Sequence, residues 1–249
     1  KQTGRRIAAI SLVHVFVYPG DILEIIEIAR EWNLTVLEDS AEALGSWVLK
    51  NNKKIHCGLL GEIGILSFNG NKLITTGGGG AIITNNQKLA DLARHLSTTA
   101  KLAHRWEFNH DMVGWNDRMP SINAALGYGQ MEMINKKLQN KNKLYKKYQS
   151  VLSCIEEIDL IKETKNTISN HWLITIKFNS KNNEKVQKET ENLLSLAHSR
   201  GLLLRPAWRL LNQLPMYKSN PSGSLIFAES IYLRLINLPS SPQLLHKFD

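Results

Sequence analysis

Strand-like apolar runs alternate with amphipathic segments in the first part of the chain. Residues 7–16 and 35–38 have the character of buried strands, and residues 22–32 between them place apolar side chains at helical spacing. Pro19-Gly20-Asp21 stands directly before that segment, where it supplies a turn and a helix N-cap. Strands that alternate with helices predict a mostly parallel sheet.

Two further apolar runs, at 63–68 and 81–84, have no helical pattern between them. A direct connection of this kind predicts antiparallel pairing of the two strands. We expect a helix at 87–96 and a longer helical region at 121–148. The polar and aromatic segment at 97–117 has no clear period, and irregular segments of this length in compact domains are usually functional.

The pattern changes near residue 151. The elements predicted beyond it are strands at 171–178 and 202–204 and helices at 183–200 and 224–235. Mixed strands and helices over a segment of this length are typical of a small α+β domain.

Composition narrows the class of protein. The chain has 249 residues, of which 43% are hydrophobic and 21% charged, so it can build a packed core and is not a disordered chain. We predict two domains, at 1–150 and 151–249. No apolar run approaches the roughly 18 residues of a membrane span, and we expect a cytoplasmic protein without a membrane anchor.

The basic charge and the cysteines have ordinary interpretations. Much of the net charge of +9 comes from a lysine-rich stretch at 136–147, where interleaved apolar residues favour the solvated face of a long helix. A nucleic-acid patch is the alternative, although no binding motif accompanies the charge.

Cys57 and Cys154 form neither a disulfide framework nor a metal knuckle, so we predict free, buried thiols.

Two side chains with complementary chemistry follow predicted strands. Asp39 closes the 35–38 strand, and Lys72 follows the 63–68 strand. Ligand crevices in α/β sheets lie outside the carboxyl ends of the strands. There an amine can bind an aldehyde covalently while an acid pairs with a protonated ring nitrogen, as proteins do with pyridoxal phosphate. The alternatives are a turn or N-cap acid at Asp39 and a surface lysine at Lys72.

The residues near this pair admit two interpretations each. The Ser67 hydroxyl can bond a phosphate oxygen or satisfy a strand end. The four glycines at 77–80 allow close backbone approach to a ligand, but they lack the spacing of a phosphate-binding motif, so we expect a tight turn. His104 and His110 have no metal-ligand spacing, and no metal site is predicted.

Three segments together resemble one known family. The segment 36–45 (VLEDSAEALG), the segment 61–80 that holds Lys72 and the glycines, and the segment 113–127 (VGWNDRMPSINAALG) are similar in order and spacing to the DegT/DnrJ/EryC/StrS sugar aminotransferases. The resemblance implies a pyridoxal-phosphate-dependent transferase of the aspartate aminotransferase type (fold type I), with an incomplete large domain and a small α+β domain. The LegC-like branch, which makes amino sugars for surface glycans, looks closest.

The resemblance also implies the cofactor contacts. Lys72 would bind the cofactor aldehyde and move the proton, Asp39 would pair with the pyridine nitrogen, and Ser67 would contact the phosphate. Glu42 would lie near the phenolic oxygen, where many relatives have Gln or His. His14 would lie near the cofactor pocket.

The resemblance also implies which residues contact a second subunit and the nucleotide sugar. Asn116 would reach the cofactor phosphate of a neighbouring subunit, which implies a homodimer with shared sites. The implied reaction moves an amino group from L-glutamate to a nucleotide-linked 4-keto-6-deoxy sugar. The residues expected to contact the nucleotide sugar are Lys101, Arg105, Arg205 and Trp208.

The chain also departs from the family pattern. Relatives are expected to carry a long additional segment before the part that matches residue 1, and Val17 and Asp117 replace a usual Gly and Tyr. A fragment, a natural truncation and one half of a split enzyme are therefore alternatives. A catalytically inactive remnant that binds a partner chain or a nucleotide sugar is the alternative function.

Overall fold

The computed structural model describes residues 4–247. The described chain divides into two compact units. The first unit comprises residues 7–138 and 164–170, and the second comprises residues 4–6, 139–163 and those from 171 onward. In chain order the elements are β1 Ala9–Val13, α1 Ile22–Glu31, β2 Thr35–Asp39, β3 Trp47–Lys50, β4 Lys53–His56, β5 Ile63–Ser67, β6 Gly80–Ile83, α2 Gln87–Ser97, α3 Ser121–Glu132, α4 Ile134–Leu152, β7 Ile158–Leu160, β8 Thr167–Ile168, β9 Ile174–Phe178, α5 Asn183–Ser199, β10 Arg205–Pro206, α6 Ile226–Tyr232 and β11 Leu235–Leu238, with short 3-10 helices at Val15–Val17, Leu211–Gln213, Pro215–Tyr217 and Pro242–Lys247.

The first unit is built on a four-stranded sheet in the order β1-β2-β5-β6. β1, β2 and β5 run parallel, and β6 pairs antiparallel with β5, so the predicted antiparallel step is confirmed. The carboxyl ends of the parallel strands meet at one edge, where Val13, Asp39 and Ile65 are in register. There the His14 N–H donates to the Asp39 carbonyl at 3.1 Å. Of the residues singled out by sequence, that edge positions His14, Asp39 and Ser67.

The two faces of this sheet differ because side chains alternate along a strand. Val36, Glu38 and Leu66 point to a covered face and are buried. On the opposite face Val13 is 47% exposed and Ile65 is 45% exposed. Asp39 has the parity of this second face, so its carboxylate lies among apolar strand residues that are open to solvent.

A smaller sheet in the first unit has the order β4-β3-β8. The β3–β4 hairpin turns at Asn51 and Asn52, which both adopt positive φ, and β8 pairs antiparallel with β3. Directly after β8, the Asn170 amide donates to the carbonyls of Glu42 and Leu44, both at 2.8 Å. These bonds fix the backbone of the segment that follows β2.

The second unit contains an antiparallel sheet in the order β10-β11-β9-β7. β9 and β11 are its central strands, and Ile174 and Ile236 on them are completely buried. In the middle of the pair, Thr175 Oγ1 donates to Asn237 Oδ1 at 2.7 Å, which satisfies both buried polar groups. The core residues around these strands are Ile176, Phe178, Val186, Ala197, Leu204 and Ile236.

Several predicted boundaries were wrong for local reasons. The strand predicted at 7–16 ends at Val13, because Phe16 adopts a φ of 52° in a 3-10 turn. The helical region predicted at 121–148 is two helices that separate at Met133. The strand predicted at 171–178 begins at Ile174, because His171 adopts a φ of 49°.

The remaining differences concern short segments. The strand predicted at 202–204 lies instead at Arg205–Pro206, and the helix predicted at 224–235 ends at Tyr232, after which the chain forms β11. Cys57 and Cys154 are both free, but only Cys57 is buried, so the prediction of a buried thiol was wrong for Cys154. Within residues 4–247, no helix is long and apolar enough to cross a membrane.

Lys141 is the buried exception to the solvated lysine face predicted for residues 136–147, on which Lys136, Lys143, Lys146 and Lys147 are exposed. Its side chain is only 4% exposed, and Nζ donates to the carbonyls of Trp172 and Ser240 at 2.7 and 2.5 Å. Burial disfavours the charged form and lowers the pKa of Lys141 to about 7. A neutral amine still carries two N–H groups, which match the two carbonyls.

This burial predicts that stability rises with pH. Between about pH 7 and about pH 9 the folded chain has a mostly neutral Lys141 while the unfolded chain keeps its proton, so unfolding takes up protons and becomes less favourable. We expect the free energy of unfolding of the wild type, relative to Lys141→Met, to rise by about 2 kcal/mol over this range. Urea unfolding at each pH measures it, with the exposed Lys143→Met as the matched control, and a difference that does not change with pH would contradict the account.

Candidate active site

Lys72 and Glu42 meet at the carboxyl ends of β2 and β5. Lys72 Nζ lies 3.4 Å from Glu42 Oε1, and the two side chains are 14% and 12% exposed. Lys72 lies in the loop after β5, and Glu42 follows β2 by three residues. A partly buried ion pair of this kind is screened less by solvent than a surface pair.

Asp39 is the third member of this group. It ends β2, and its Oδ1 accepts the Ala41 N–H at 3.1 Å, which turns the chain toward Glu42. The pKa of Glu42 is raised chiefly by burial, while the Lys72 charge lowers it and the Asp39 charge raises it further. Glu42 therefore interacts electrostatically with both neighbours. We call Asp39, Glu42 and Lys72 the acid–amine cluster.

Backbone hydrogen bonds fix the loop that carries Lys72. The Lys72 N–H donates to the Asn69 carbonyl at 3.0 Å, and Phe68 bonds Gly79 and Thr76 through its N–H and carbonyl at 2.9 and 3.0 Å. Gly79 adopts a φ of 97°, which a residue with a side chain rarely adopts. The glycine run thus brings the chain back beside Phe68 before β6 begins.

Helix α3 holds the same loop from its outer side. Gln130 bonds both the N–H and the carbonyl of Thr75, at 3.3 and 2.8 Å, and the Asn123 amide donates to the Thr76 carbonyl at 2.5 Å. These contacts restrain the loop at Thr75 and Thr76, between Lys72 and β6. The Lys72 backbone consequently has little freedom to move away from Glu42.

Glu38 is a completely buried carboxylate behind the acid–amine cluster. Its Oε2 lies 2.9 Å from His14 Nε2 and accepts the Gly58 N–H at 2.8 Å. Its Oε1 accepts the N–H groups of Leu60 and Gly61 at 2.8 and 2.6 Å. Burial raises the pKa of Glu38, but the hydrogen bonds outweigh burial and hold the pKa below its usual value.

His14 follows β1 at the same edge of the sheet, but its ring points into the protein. The ring is buried, and Nδ1 accepts the Gly20 N–H at 3.3 Å, which places the proton of a neutral imidazole on Nε2, toward Glu38. Both ring nitrogens are therefore used by protein groups. A direct contact of His14 with a cofactor stays a prediction.

The other residues singled out by sequence lie outside the acid–amine cluster. Ser67 ends β5, and its Oγ accepts the Asn69 N–H at 3.4 Å. Asn116 pairs with Thr98 in an isolated bridge and is exposed. Lys101 and Arg105 lie on an exposed hairpin, with Lys101 Nζ 3.9 Å from the centre of the Phe108 ring and the Arg105 guanidinium 5.5 Å from that of Trp106. Arg205 and Trp208 are exposed residues of the second unit.

The donor set of the cluster suits pyridoxal phosphate. Lys72 offers an amine for the aldehyde, Asp39 offers a carboxylate for the ring nitrogen, and Ser67 offers a hydroxyl at the neighbouring strand end. Glu42, the third charged group, offsets the positive charge of the Lys72 amine. Among residues 4–247 no group of three or more His, Cys, Asp or Glu side chains could hold a metal ion.

Comparison with known proteins agrees with this chemistry. The model of the DegT/DnrJ/EryC1/StrS aminotransferase family matches residues 2–247. The chain belongs to this family. The predicted family and the fold of a pyridoxal-phosphate-dependent transferase are thereby confirmed, whereas the LegC-like branch and the origin of the chain as a fragment stay predictions.

Individual members of the family are similar over almost the whole chain. GDP-perosamine synthase of Escherichia coli O157:H7 is 34% identical over 95% of this chain and 61% of the relative, and the synthase of Vibrio cholerae is 29% identical over 98% and 64%. The solved structure of PseC of Helicobacter pylori, an aminotransferase involved in the biosynthesis of pseudoaminic acid, matches 98% of this chain and 63% of its own with a TM-score of 0.88 at 24% identity. The chain thus spans about three fifths of the length of these relatives.

Sequence reasoning missed the anchoring role of Glu38. A signal was present, because residue 38 has the same strand parity as the apolar Val36 and must therefore face the core. A carboxylate at such a position requires partners. His14 and the N–H groups of Gly58, Leu60 and Gly61 are those partners. The segment that contains these three residues has no pattern of its own.

Replacing Glu38 by Gln is expected to destabilise the first unit. The side-chain amide would direct N–H groups at N–H donors and leave buried groups unsatisfied, which costs about 2–4 kcal/mol at neutral pH. Since the folded pKa lies below the unfolded value, the stabilisation is present above the unfolded pKa and is lost as pH falls through the folded pKa. Urea unfolding at pH 7 and in acid measures both effects. The exposed Glu62→Gln is the control, and equal stability of the two variants at pH 7 would refute the role of Glu38.

Proposed function

We propose that this chain carries the Lys72 site of a pyridoxal-phosphate-dependent aminotransferase. The enzyme would move an amino group from L-glutamate to a nucleotide-linked 4-keto-6-deoxy sugar in bacterial surface-glycan biosynthesis. The contact between Lys72 and Glu42 beside Asp39, in a chain of this family, carries the proposal. Similarity to GDP-perosamine synthases supports a nucleotide sugar as the amino-group acceptor.

Two members of the acid–amine cluster and the nearby Ser67 have tasks in this proposal. Pyridoxal phosphate, when bound, supplies an aldehyde for amine attachment and a ring that takes up electrons as a substrate proton leaves. Lys72 would hold the aldehyde through Nζ and afterwards move that proton as a base and an acid. Asp39 would keep the ring nitrogen protonated, since a carboxylate stabilises a neighbouring cation. Ser67 would donate a hydrogen bond to the phosphate.

The remaining roles are part of the same proposal. Asn116 would contact the cofactor phosphate in a second subunit, so that a homodimer shares its sites. The nucleotide sugar would be bound by Lys101, Arg105, Arg205 and Trp208, and the enzyme would work in the cytoplasm. The retention of the amine and of both carboxylates in one cluster favours this function over an inactive remnant.

Attachment of the cofactor to Lys72 tests the proposal. Pyridoxal phosphate added to the purified chain is expected to give a visible absorbance band that fades with L-glutamate as 2-oxoglutarate appears. Borohydride reduction should then fix the cofactor on the peptide that contains Lys72, as measured by mass spectrometry. Lys72→Ala should abolish the band and the label, because it removes the reacting amine.

A matched lysine variant makes this result specific. Lys136→Ala changes an exposed lysine outside the loop and should leave the band unchanged. A wild-type chain that carries the label on surface lysines and not on Lys72 would reject the proposed function.

A further inference from the structure

We propose that Glu42 is a positioning residue that holds the Lys72 amine as an ion pair and thereby sets the pH at which this amine reacts with aldehydes. The pairing itself is argued from the structure, and only its consequence for cofactor attachment rests on the proposed function.

The Glu42 carboxylate is oriented from the side opposite Lys72. Its Oε2 accepts the Phe16 N–H at 3.0 Å, which leaves Oε1 directed at Lys72 Nζ. Phe16 has a φ of 52° and is 6% exposed, so a buried ring in an uncommon backbone conformation fixes the direction of this N–H. Strained backbone that the surrounding fold maintains is a feature of built sites.

The Lys72 backbone is also restrained and its side chain is only 14% exposed, which distinguishes the Glu42–Lys72 pair from ion pairs on the surface. Lys72 is restrained by its bond to Asn69, and Ile74, two residues later, is 2% exposed. The exposed pair Lys185–Glu189, by contrast, has its charged atoms 3.7 Å apart on side chains that are 62% and 39% exposed. Such helical surface pairs have weak effects because both side chains reorient in water.

The charges around Glu42 determine the direction of the effect. Three elements present charged or polar groups to it: the turn after β1 gives the Phe16 N–H, the end of β2 gives Asp39, and the loop after β5 gives Lys72. Asp39 disfavours the Glu42 charge, whereas Lys72 favours it. Loss of the Lys72 proton would therefore leave the Glu42 charge near that of Asp39 without the cation that favours it.

The Glu42–Lys72 ion pair opposes the loss of the proton that must precede any reaction of the amine with an aldehyde. An amine attacks an aldehyde only after its ammonium has released a proton to solvent. The C–N bond then forms and a water molecule leaves. Because Glu42 pairs with the Lys72 ammonium, we expect the reaction to need a higher pH with Glu42 than with a neutral side chain at this position. A glutamine at position 42 would keep the shape of the side chain but remove the charge that retains the proton.

Reductive methylation with formaldehyde and dimethylamine–borane measures the reactive amine without the cofactor. The rate at Lys72 would be followed by mass spectrometry of its peptide from about pH 6 to about pH 10, the range in which lysine reactivity changes. We expect Glu42→Gln to lower the pH midpoint at Lys72 by about one unit, or about a tenfold faster reaction at neutral pH. An unchanged or higher midpoint in the folded variant would overturn the proposal.

The control and the rescue use the same chain. Lys185 is read in the same samples as an exposed reference, and Glu189→Gln is the matched variant that should leave its midpoint within about 0.3 unit, since surface pairs contribute little. Glu42→Asp keeps the charge on a shorter side chain, so its midpoint should lie between those of the wild type and Glu42→Gln. If Glu42→Gln does not fold, a Glu42→Asp midpoint that equals the wild-type value counts against the proposal.

Formaldehyde also separates this inference from the proposed function. It needs no binding site, so the shift is expected even in a chain that fails to take up pyridoxal phosphate. A shifted formaldehyde profile without cofactor attachment would reject the aminotransferase and leave the pairing intact. With both in place, Glu42→Gln should attach pyridoxal phosphate at a pH lower by the same interval.

Discussion

One buried carboxylate, Glu38, holds together the end of the sheet where the candidate site lies. Glu38 belongs to β2, and it accepts hydrogen bonds from His14 after β1 and from the N–H groups of Gly58, Leu60 and Gly61. A carboxylate in the interior is unfavourable without such partners. The sheet edge therefore depends on a network in which each donor must be present.

Asp39, the residue after Glu38, contributes the acid of the candidate site. Successive side chains of a strand point to opposite faces, so the inward direction of Glu38 directs Asp39 to the other face. The Asp39 backbone is tied to β1 through the His14 N–H, and its side chain turns the chain toward Glu42. One strand thus supplies both the anchor of the fold and the acid of the site, and Glu42 joins them to Lys72.

Local patterns predicted the sheet and the principal site residues, because these depend on short-range alternation. The strands of Asp39 and Ser67, and the antiparallel step to β6, follow from apolar runs and from the absence of a helix between 68 and 81. The family resemblance added the proposed roles of Glu42 and Asn116, which no periodicity indicates. Why Lys72 and Glu42 meet could not be read locally, since their contact spans 30 residues.

What sequence did not reveal depends on distant partners. Lys141 looks like any lysine of a basic helix, and only the carbonyls of Trp172 and Ser240, which lie 31 and 99 residues away, account for its burial. The strand β11 was hidden because it directly follows a helical segment and gains its partners from β9 and β10. The helix predicted at 224–235 therefore extended into β11 at Leu235, and the rest of this central strand of the second unit was not predicted.

The central claim is that Asp39 and Lys72 act on the two ends of one cofactor. A crystal structure of the chain grown with pyridoxal phosphate tests it most directly. The account predicts continuous density between Lys72 Nζ and the cofactor, with the ring nitrogen within about 3 Å of the Asp39 carboxylate. A cofactor joined to Lys72 whose ring nitrogen faces solvent or another side chain would contradict it.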